Sequence, residues 1–188
     1  MARLAKAPTD PQAFIDWENR QRVRYELIEG LVWMMTGGTL RHDRVAANVI
    51  AALHAALRGS DCAAHGSNLK VRSPADAVMY PDALVRCGPA DEEATEIDDP
   101  ILVAEVHSPR TRRYDMTGKR WAYYAIPSLR YILLIDPTRC LIETVSRDED
   151  GRWLSTLVQQ LDGRVALPTL GIELAVADIY AGTKVAGS

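Results

Sequence analysis

The chain contains 188 residues, of which 47% are hydrophobic and 25% charged, and its formal net charge is −3 at pH 7. These values are typical of a soluble globular protein, and we expect a single domain over residues 1–188 with loose termini at 1–8 and 182–188. The longest apolar runs are far shorter than the roughly 18 residues of a membrane span. The acidic net charge argues weakly against a protein that binds nucleic acid over most of its surface.

The amino-terminal quarter predicts a short helix followed by a β-hairpin. Asp10 and Pro11 form a helix start signal, a capping side chain followed by proline, and this helix should end near Arg20. The apolar runs 25–28 and 31–35 are separated by Glu29 and Gly30, which is typical of a hairpin with a two-residue turn.

A longer helix is predicted from Asp43 to Leu57, because apolar residues recur there at steps of three and four. His54 falls opposite the apolar face and should be exposed to solvent. Short strands are expected at residues 69–72 and 78–86, followed by an acidic surface loop at 87–100.

Residues 101–106 are the most strand-like run, and Pro109 ends it. A helix should follow from about residue 111 to 125, with Trp121, Tyr124 and Ala125 on its inner face. Trp33 and Trp121 are both expected in the core. The next buried strand, 131–135, makes a strand–helix–strand passage, which implies a right-handed crossover and a parallel pair.

The carboxy-terminal part predicts a hairpin from strands 140–145 and 152–160, and then a closing strand and short helix over 170–180. The order of elements therefore predicts an α/β fold with a mixed central sheet flanked by helices. Cys62, Cys87 and Cys140 are odd in number, far apart and without a Cys-x-x-Cys pair, which argues against a disulfide framework or a zinc site. With no apolar segment near the amino terminus, we expect a cytoplasmic protein.

Two carboxylates interrupt apolar strands. Asp82 follows Pro81, and Glu105 lies within the 101–106 run. An unpaired carboxylate buried there would cost several kcal/mol. If the two strands pair, Asp82, Glu105 and the backbone carbonyl near Val106 offer hard oxygen ligands suited to Mg²⁺ or Mn²⁺. The alternative is a structural salt bridge from each carboxylate to a nearby arginine.

Lys119 is the third candidate residue, because its helix should begin near the end of the Glu105 strand. A lysine there could orient a metal-bound water and neutralise charge on a phosphate in the transition state. The alternative is a solvated lysine paired with Asp115 at the i, i+4 spacing. A basic cluster near the same helix start could neutralise DNA phosphates: Arg110, Arg112, Arg113 and Arg120.

Five motifs share their order with a known group of proteins: Tyr25–Gly30, His42, Pro81-Asp82, Glu105–Pro109, and a helix with Asp115, Lys119 and Tyr123. Pro81-Asp82 with Glu105-Val106-His107 resembles the PD-(D/E)XK nuclease superfamily. The full set is similar to one bacterial branch of restriction endonuclease-like proteins, abundant in cyanobacteria. The resemblance covers about residues 20–180 and implies a restriction-endonuclease-like core with Mg²⁺-dependent cleavage of DNA.

The chain departs from the superfamily pattern at His107, where the pattern has lysine. In the branch it resembles, the lysine is taken to have moved to the next helix, which would make it Lys119. The resemblance also suggests that Glu26 assists at the metal, whereas on its own Glu26 would be an exposed strand residue. His42 and His107 are possible accessory residues, with the alternative that each is only a packed or helix-entry histidine.

These features favour an endonuclease that uses Mg²⁺, with Mn²⁺ as a substitute, to hydrolyse duplex DNA. The resemblance also implies a homodimer, since nucleases of this kind that cut both strands are usually paired. One alternative is a catalytically silent protein of the same fold that acts as a DNA-binding or interaction module. Another is a metal phosphohydrolase acting on a small phosphate ester, which would need a closed pocket.

Overall fold

The computed structural model describes residues 2–4, 7–106 and 118–185, with side chains from residue 7 onward. This part of the chain forms four helices, fourteen strands and one 3₁₀ turn. In chain order they are β1 Ala2–Leu4, α1 Pro11–Glu18, β2 Tyr25–Ile28, β3 Leu31–Met34, α2 Leu40–Ala56, β4 Cys62–Gly66, β5 Lys70–Ser73, β6 Ala77–Met79, β7 Ala83–Cys87, β8 Glu96–Ile97, β9 Leu102–Val106, α3 Arg120–Tyr124, β10 Tyr131–Ile135, β11 Ile142–Arg147, β12 Trp153–Val158, β13 Arg164–Leu167, the 3₁₀ turn Pro168–Leu170, β14 Ile172–Ala175 and α4 Val176–Ile179.

Most strands belong to two six-stranded sheets. The first has the order β1-β3-β2-β6-β5-β8, the second has the order β12-β11-β10-β9-β7-β4, and β13 and β14 form a separate pair. In the second sheet β9 and β10 are parallel while the other neighbours are antiparallel, which confirms the predicted parallel pair and the mixed α/β class. No helix in the described part of the chain is long and apolar enough to cross a membrane.

The first helix and the hairpin form as predicted. Asp10 caps α1 by accepting a hydrogen bond from the backbone N–H of Ala13 at 2.9 Å, and Pro11 occupies the first helical position. Glu29 and Gly30 join β2 to β3 with φ angles of 52° and 68°. Both residues therefore lie in the left-handed region, as a hairpin turn that matches the strand twist requires.

Helix α2 begins at Leu40, three residues before the predicted start at Asp43, because Thr39 caps it through the backbone N–H of His42. Val45, Val49 and Leu53 on this helix are fully buried, and His54 is exposed as predicted. This apolar stripe packs on one face of the second sheet, together with β14 and α4.

The second sheet is covered on both faces, which explains why its strands are continuous apolar runs. Along β9, Leu102 and Ala104 face the α2 side, whereas Val103 belongs to the opposite cluster with Ala122 and Tyr123 of α3. Since side chains alternate along a strand, Glu105 shares the face of Val103. Glu105 therefore points toward α3 and the first sheet.

The predicted strand 78–86 is two strands in different sheets. Residues 77–79 form β6 of the first sheet and residues 83–87 form β7 of the second, so residues 80–82 carry the chain from one sheet to the other. Pro81 explains the break, because it offers no N–H to a strand ladder. Four short strands were missed: β1 in the terminus 1–8 that was expected to be loose, where Ala2–Leu4 pairs with β3, β4 after α2, β8 in the acidic segment and β13 before the 3₁₀ turn.

The predicted inner face of the crossover helix was wrong for two of its three residues. Trp121 is 68% exposed and Ala125 is exposed, whereas Tyr124 is half-buried and packs against the core, and Ala122 and Tyr123 are buried. Within the described residues α3 has little more than one turn. The spacing of apolar residues over a longer predicted helix therefore assigned the wrong face of α3 to the core. The other tryptophan assigned to the core, Trp33, is half-buried.

The expectation about the cysteines was also wrong for one pair. Cys62 and Cys87 form a disulfide, because the antiparallel pairing of β4 with β7 places the two residues directly opposite each other. They are 25 positions apart in sequence, so only the strand register reveals that they are neighbours. Cys140 is a buried free thiol. The cysteine pattern therefore no longer supports a reducing compartment.

Candidate active site

The two carboxylates predicted as ligands lie on adjacent strands of the second sheet. Strands β7 and β9 are antiparallel with Ala83 opposite Ala104, so continuing this register by one position sets Asp82 opposite Glu105. The backbone N–H of Val106 donates a hydrogen bond to Oδ2 of Asp82 at 2.7 Å. The break at Pro81 thus leaves Asp82 at the end of the sheet, bonded to the strand that carries Glu105.

Lys119 lies between two acidic side chains from the two sheets. Its Nζ is 2.8 Å from Oε1 of Glu26 and 3.1 Å from Oε1 of Glu105. Lys119 is 3% exposed, Glu105 is 6% exposed and Glu26 is fully buried. Ionised groups with so little access to water are stable only when paired and hydrogen-bonded. The alternatives of a solvated Lys119 and an exposed Glu26 are therefore wrong.

Two tyrosines donate further hydrogen bonds to these carboxylates. The hydroxyl of Tyr123, which is 1% exposed, donates to Oε1 of Glu105 at 2.6 Å. The backbone N–H of Tyr80 donates to Oε1 of Glu26 at 2.8 Å. Tyr123 lies four residues after Lys119, and this spacing places both side chains on one side of a helix. The sequence comparison had named Tyr123 in the motif of this helix but gave it no role, and its bond to Glu105 was missed.

A second buried polar cluster holds the segment that precedes Asp82. The hydroxyl of Tyr80 lies 3.1 and 3.2 Å from the two carboxylate oxygens of Glu18, and Nζ of Lys70 lies 3.4 Å from Oε2 of Glu18. Burial, reinforced by the charge of Glu18, raises the pKa of the Tyr80 hydroxyl above its ordinary value. Tyr80 therefore anchors this segment at both its backbone and its ring.

His42 is the partner of Asp82 at the rim of the site. Its Nε2 lies 3.4 Å from Oδ2 of Asp82, and the two side chains are 20% and 19% exposed. The hydrogen bond that His42 donates to Asp82 is the largest influence on His42 and raises its pKa, with a further contribution from the Val106 backbone, although burial opposes the shift. A Cβ at Gly38 would lie 2.8 Å from Nδ1 of His42, so the glycine makes space for this imidazole.

One of the remaining predicted site residues is held in an ion pair, and the others lie outside the described residues. Arg120, proposed to contact DNA phosphate, forms an ion pair with Glu143 at 2.8 Å. The others are outside the described part of the chain: His107, Arg110, Arg112, Arg113 and Asp115. The structure therefore brings Glu26, Glu105 and Lys119 together and places Asp82 with His42 beside them.

The donor set fits a hard divalent cation. Asp82 and Glu105 contribute carboxylate oxygens from adjacent strands, and Val106 follows Glu105 with its backbone at the same point. No group of three or more His, Cys, Asp or Glu side chains suited to a metal occurs among the described residues. Two carboxylates completed by water and substrate phosphate suit Mg²⁺ better than Zn²⁺.

Solved structures and curated sequences resemble this chain over most of its length. A crystal structure of a putative nuclease belonging to DUF820 from Anabaena variabilis superposes with a TM-score of 0.76 at 17% identity, covering 93% of this chain and 98% of that one. At this identity the match shows a shared nuclease-like fold.

Two Synechocystis proteins, both named as uncharacterized, are similar in sequence. Protein slr1290 is 34% identical over 92% of this chain and 91% of its own length, and sll1609 is 24% identical over 76% and 83%. The model of the Uma2 family, described as "Putative restriction endonuclease", matches residues 11–177. The fold, the motif order and this match agree: the chain belongs to the Uma2 family, within the restriction-endonuclease-like superfamily.

Proposed function

We propose that this protein is an endonuclease that hydrolyses phosphodiester bonds of DNA, with Mg²⁺ as its cofactor and Mn²⁺ as a substitute. The observation that carries the proposal is the position of Lys119. Its ammonium lies 3.1 Å from Glu105, on the strand next to Asp82, although the sequence separates it from the usual motif position. Membership of the Uma2 family supports the same reaction class.

Asp82, Glu105 and the Val106 carbonyl are the groups that would hold the metal ion. When bound, the ion would supply Lewis-acid activation of the attacking water and neutralisation of phosphate charge. His42 would have to yield part of its contact with Asp82 to such an ion, since it occupies the same carboxylate oxygen.

Lys119 would place its positive charge where negative charge develops on the phosphate. A charged donor that is already fixed needs no reorganisation during the reaction, which is the main advantage of a preorganised site. Glu26 and Tyr123 would act as positioning residues, because Glu26 contacts Lys119 and Tyr123 bonds the carboxylate of Glu105. We further propose that two copies act together on duplex DNA, since a single site cuts one strand at a time.

The alternative function is a catalytically silent member of the fold that binds DNA or another partner. Two observations favour it: Lys119 is held by two buried carboxylates, as in a structural ion network, and Arg120 is occupied by Glu143. The two functions differ in one respect that can be measured, which is whether the carboxylates support metal-dependent hydrolysis.

Incubation of supercoiled plasmid with Mg²⁺, Mn²⁺ or EDTA tests the proposal. Wild type should nick the plasmid with either metal and not with EDTA, and Asp82→Asn should lose most of this activity. Asp162→Asn, at an exposed carboxylate remote in sequence, is the matched control and should cleave like wild type. Metal-independent nicking, or equal nicking by Asp82→Asn, would contradict the proposal, and an intact plasmid in every lane would favour the silent alternative.

A further inference from the structure

Three aromatic side chains, from helix α3 and strand β12, form a continuous row. The rings of Trp121 and Tyr124 are 5.8 Å apart between centroids and nearly perpendicular, at 83°. The rings of Tyr124 and Trp153 are stacked, with centroids 4.6 Å apart and planes 21° from parallel. We call Trp121, Tyr124 and Trp153 the aromatic row. It runs from helix α3 to the first residue of strand β12.

One end of the row is exposed and the other is fixed. Trp121 is 68% exposed, whereas Tyr124 and Trp153 are half-buried and pack against the core cluster that contains Tyr123. Tryptophan is highly buried on average, so the exposed ring of Trp121 is the end of the row that a partner can reach. Because Tyr124 and Trp153 are held by the core, they restrict the position of Trp121.

Positive charge accompanies the row. The guanidinium of Arg147 lies 5.7 Å from the centroid of the Trp153 ring, within the range of a cation–π contact. Arg120 immediately precedes Trp121, although its charge is balanced by Glu143. Aromatic faces with neighbouring arginines are the features by which proteins bind single-stranded nucleic acid, the rings stacking on bases and the cations attracting the backbone.

We infer, on the basis of the proposed nuclease function, that the aromatic row binds unpaired nucleobases of the substrate. Trp121 is exposed whereas Lys119, two residues earlier, is buried, and residues two apart on a helix do not share a face, so the row would bind bases on the outer side of α3. A stacked base in an intact duplex offers its face to its neighbours and not to the protein. The substrate class is therefore DNA that contains a single-stranded segment.

A second copy of the chain is the competing occupant. Leu154 and Leu157 on β12 are 54% and 57% exposed, and β12 is an edge strand of the second sheet. Edge strands with exposed leucines can pair with another chain. Nucleic acid is the better match for the row itself, because the guanidinium of Arg147 lies over one of its rings.

Binding of a fluorescein-labelled oligothymidylate, measured by anisotropy in EDTA, tests the inference without any cleavage. Trp121→Ala should weaken binding roughly tenfold, in keeping with the loss of one stacked base, while Trp121→Phe should keep most of the affinity. The salt dependence should be unchanged, because no phosphate contact is removed. A fully paired duplex should bind wild type and Trp121→Ala equally. Leu157→Ala, an exposed apolar residue of the edge strand, is the matched control and should bind like wild type.

Equal binding of the oligonucleotide by wild type and Trp121→Ala would overturn the inference. So would a loss of binding in Leu157→Ala together with a change from dimer to monomer by sedimentation, which would assign this face to a second copy. The outcome is separable from that of the plasmid assay. Plasmid cleavage with unchanged binding by Trp121→Ala contradicts only the aromatic row, whereas Trp121-dependent binding without metal-dependent cleavage contradicts only the nuclease.

Discussion

The ammonium group of Lys119 lies 2.8 Å from a carboxylate oxygen of Glu26, a residue of the first sheet. The contact joins β2 of the first sheet to the start of α3, while Lys119 also reaches Glu105 on β9 of the second sheet. Both sheets must therefore be in place before the lysine has its position. The two ion pairs of Lys119 therefore fix the geometry of the site and also join the two sheets.

Replacement of Glu26 should affect both folding and the site. Glu26→Ala removes one partner of a buried lysine, and breaking such a pair costs about 3–5 kcal/mol in the free energy of unfolding. Urea denaturation measures this loss. Glu149→Ala, at an exposed glutamate, should leave the unfolding midpoint nearly unchanged. A midpoint for Glu26→Ala equal to that of wild type would show that the Lys119 contact contributes nothing.

Tyr123→Phe isolates the hydrogen bond to Glu105. The ring stays in its buried position and only the hydroxyl that donates at 2.6 Å is lost. A hydrogen bond to a charged group contributes about 1.5–3 kcal/mol, so the free energy of unfolding should fall by that amount. If Tyr123 is a positioning residue, plasmid cleavage should also slow at saturating DNA, with little change in the DNA concentration that gives half-maximal rate. An unchanged cleavage rate in a destabilised variant would leave Tyr123 with a structural role alone.

Alkaline pH should destabilise the protein, in part through Tyr80. Its pKa is raised in the folded state, chiefly by burial, so the unfolded chain loses this proton near pH 10 while the folded protein retains it. Deprotonation therefore favours unfolding, and the stability present below about pH 10 falls as the pH rises further. The fall in stability measured by urea denaturation between about pH 8 and 10.5 should be smaller in Tyr80→Phe. Identical pH dependence in the two proteins would refute this assignment.

Reduction of the Cys62–Cys87 disulfide should lower stability without changing the fold. A disulfide that closes a loop of this size contributes about 2–4 kcal/mol, and the loop here spans 25 positions. Thermal unfolding with and without dithiothreitol measures the effect, and the variant with both cysteines replaced by serine should match the reduced protein. Equal melting temperatures in oxidising and reducing buffer would argue that the two thiols are not joined.

The acidic pair of the site could be predicted from the sequence because its signal is local. Asp82 and Glu105 each stand out as carboxylates within apolar runs, whereas the pairing of their strands was only assumed, and the register of β7 with β9 shows it. Lys119 was different. Nothing in its local sequence distinguishes it from a solvated helix lysine, and the resemblance to a known family supplied it.

Features that depend on contacts between distant segments were not predictable from local patterns. The bond from the backbone of Tyr80 to Glu26 requires knowing that β2 and β6 are neighbours. The Cys62–Cys87 disulfide likewise depends on the register of β4 with β7. The exposure of Trp121 depends on the rotation of a helix whose preceding residues gave no clear periodicity. Each of these is set by tertiary packing, which overrides the spacing pattern of a short segment.

The rate of plasmid nicking by Lys119→Met in Mg²⁺ shows whether the charge of Lys119 takes part in cleavage, since methionine keeps most of the length of the side chain and removes its charge. Lys184→Met, at an exposed lysine, is the matched control, and far-ultraviolet circular dichroism checks that each variant is folded. We expect Lys119→Met to cleave about 10²–10³ times more slowly than wild type, the usual loss when one preorganised charged donor is removed, while Lys184→Met cleaves normally. Folded Lys119→Met that nicks plasmid at the wild-type rate would contradict this expectation.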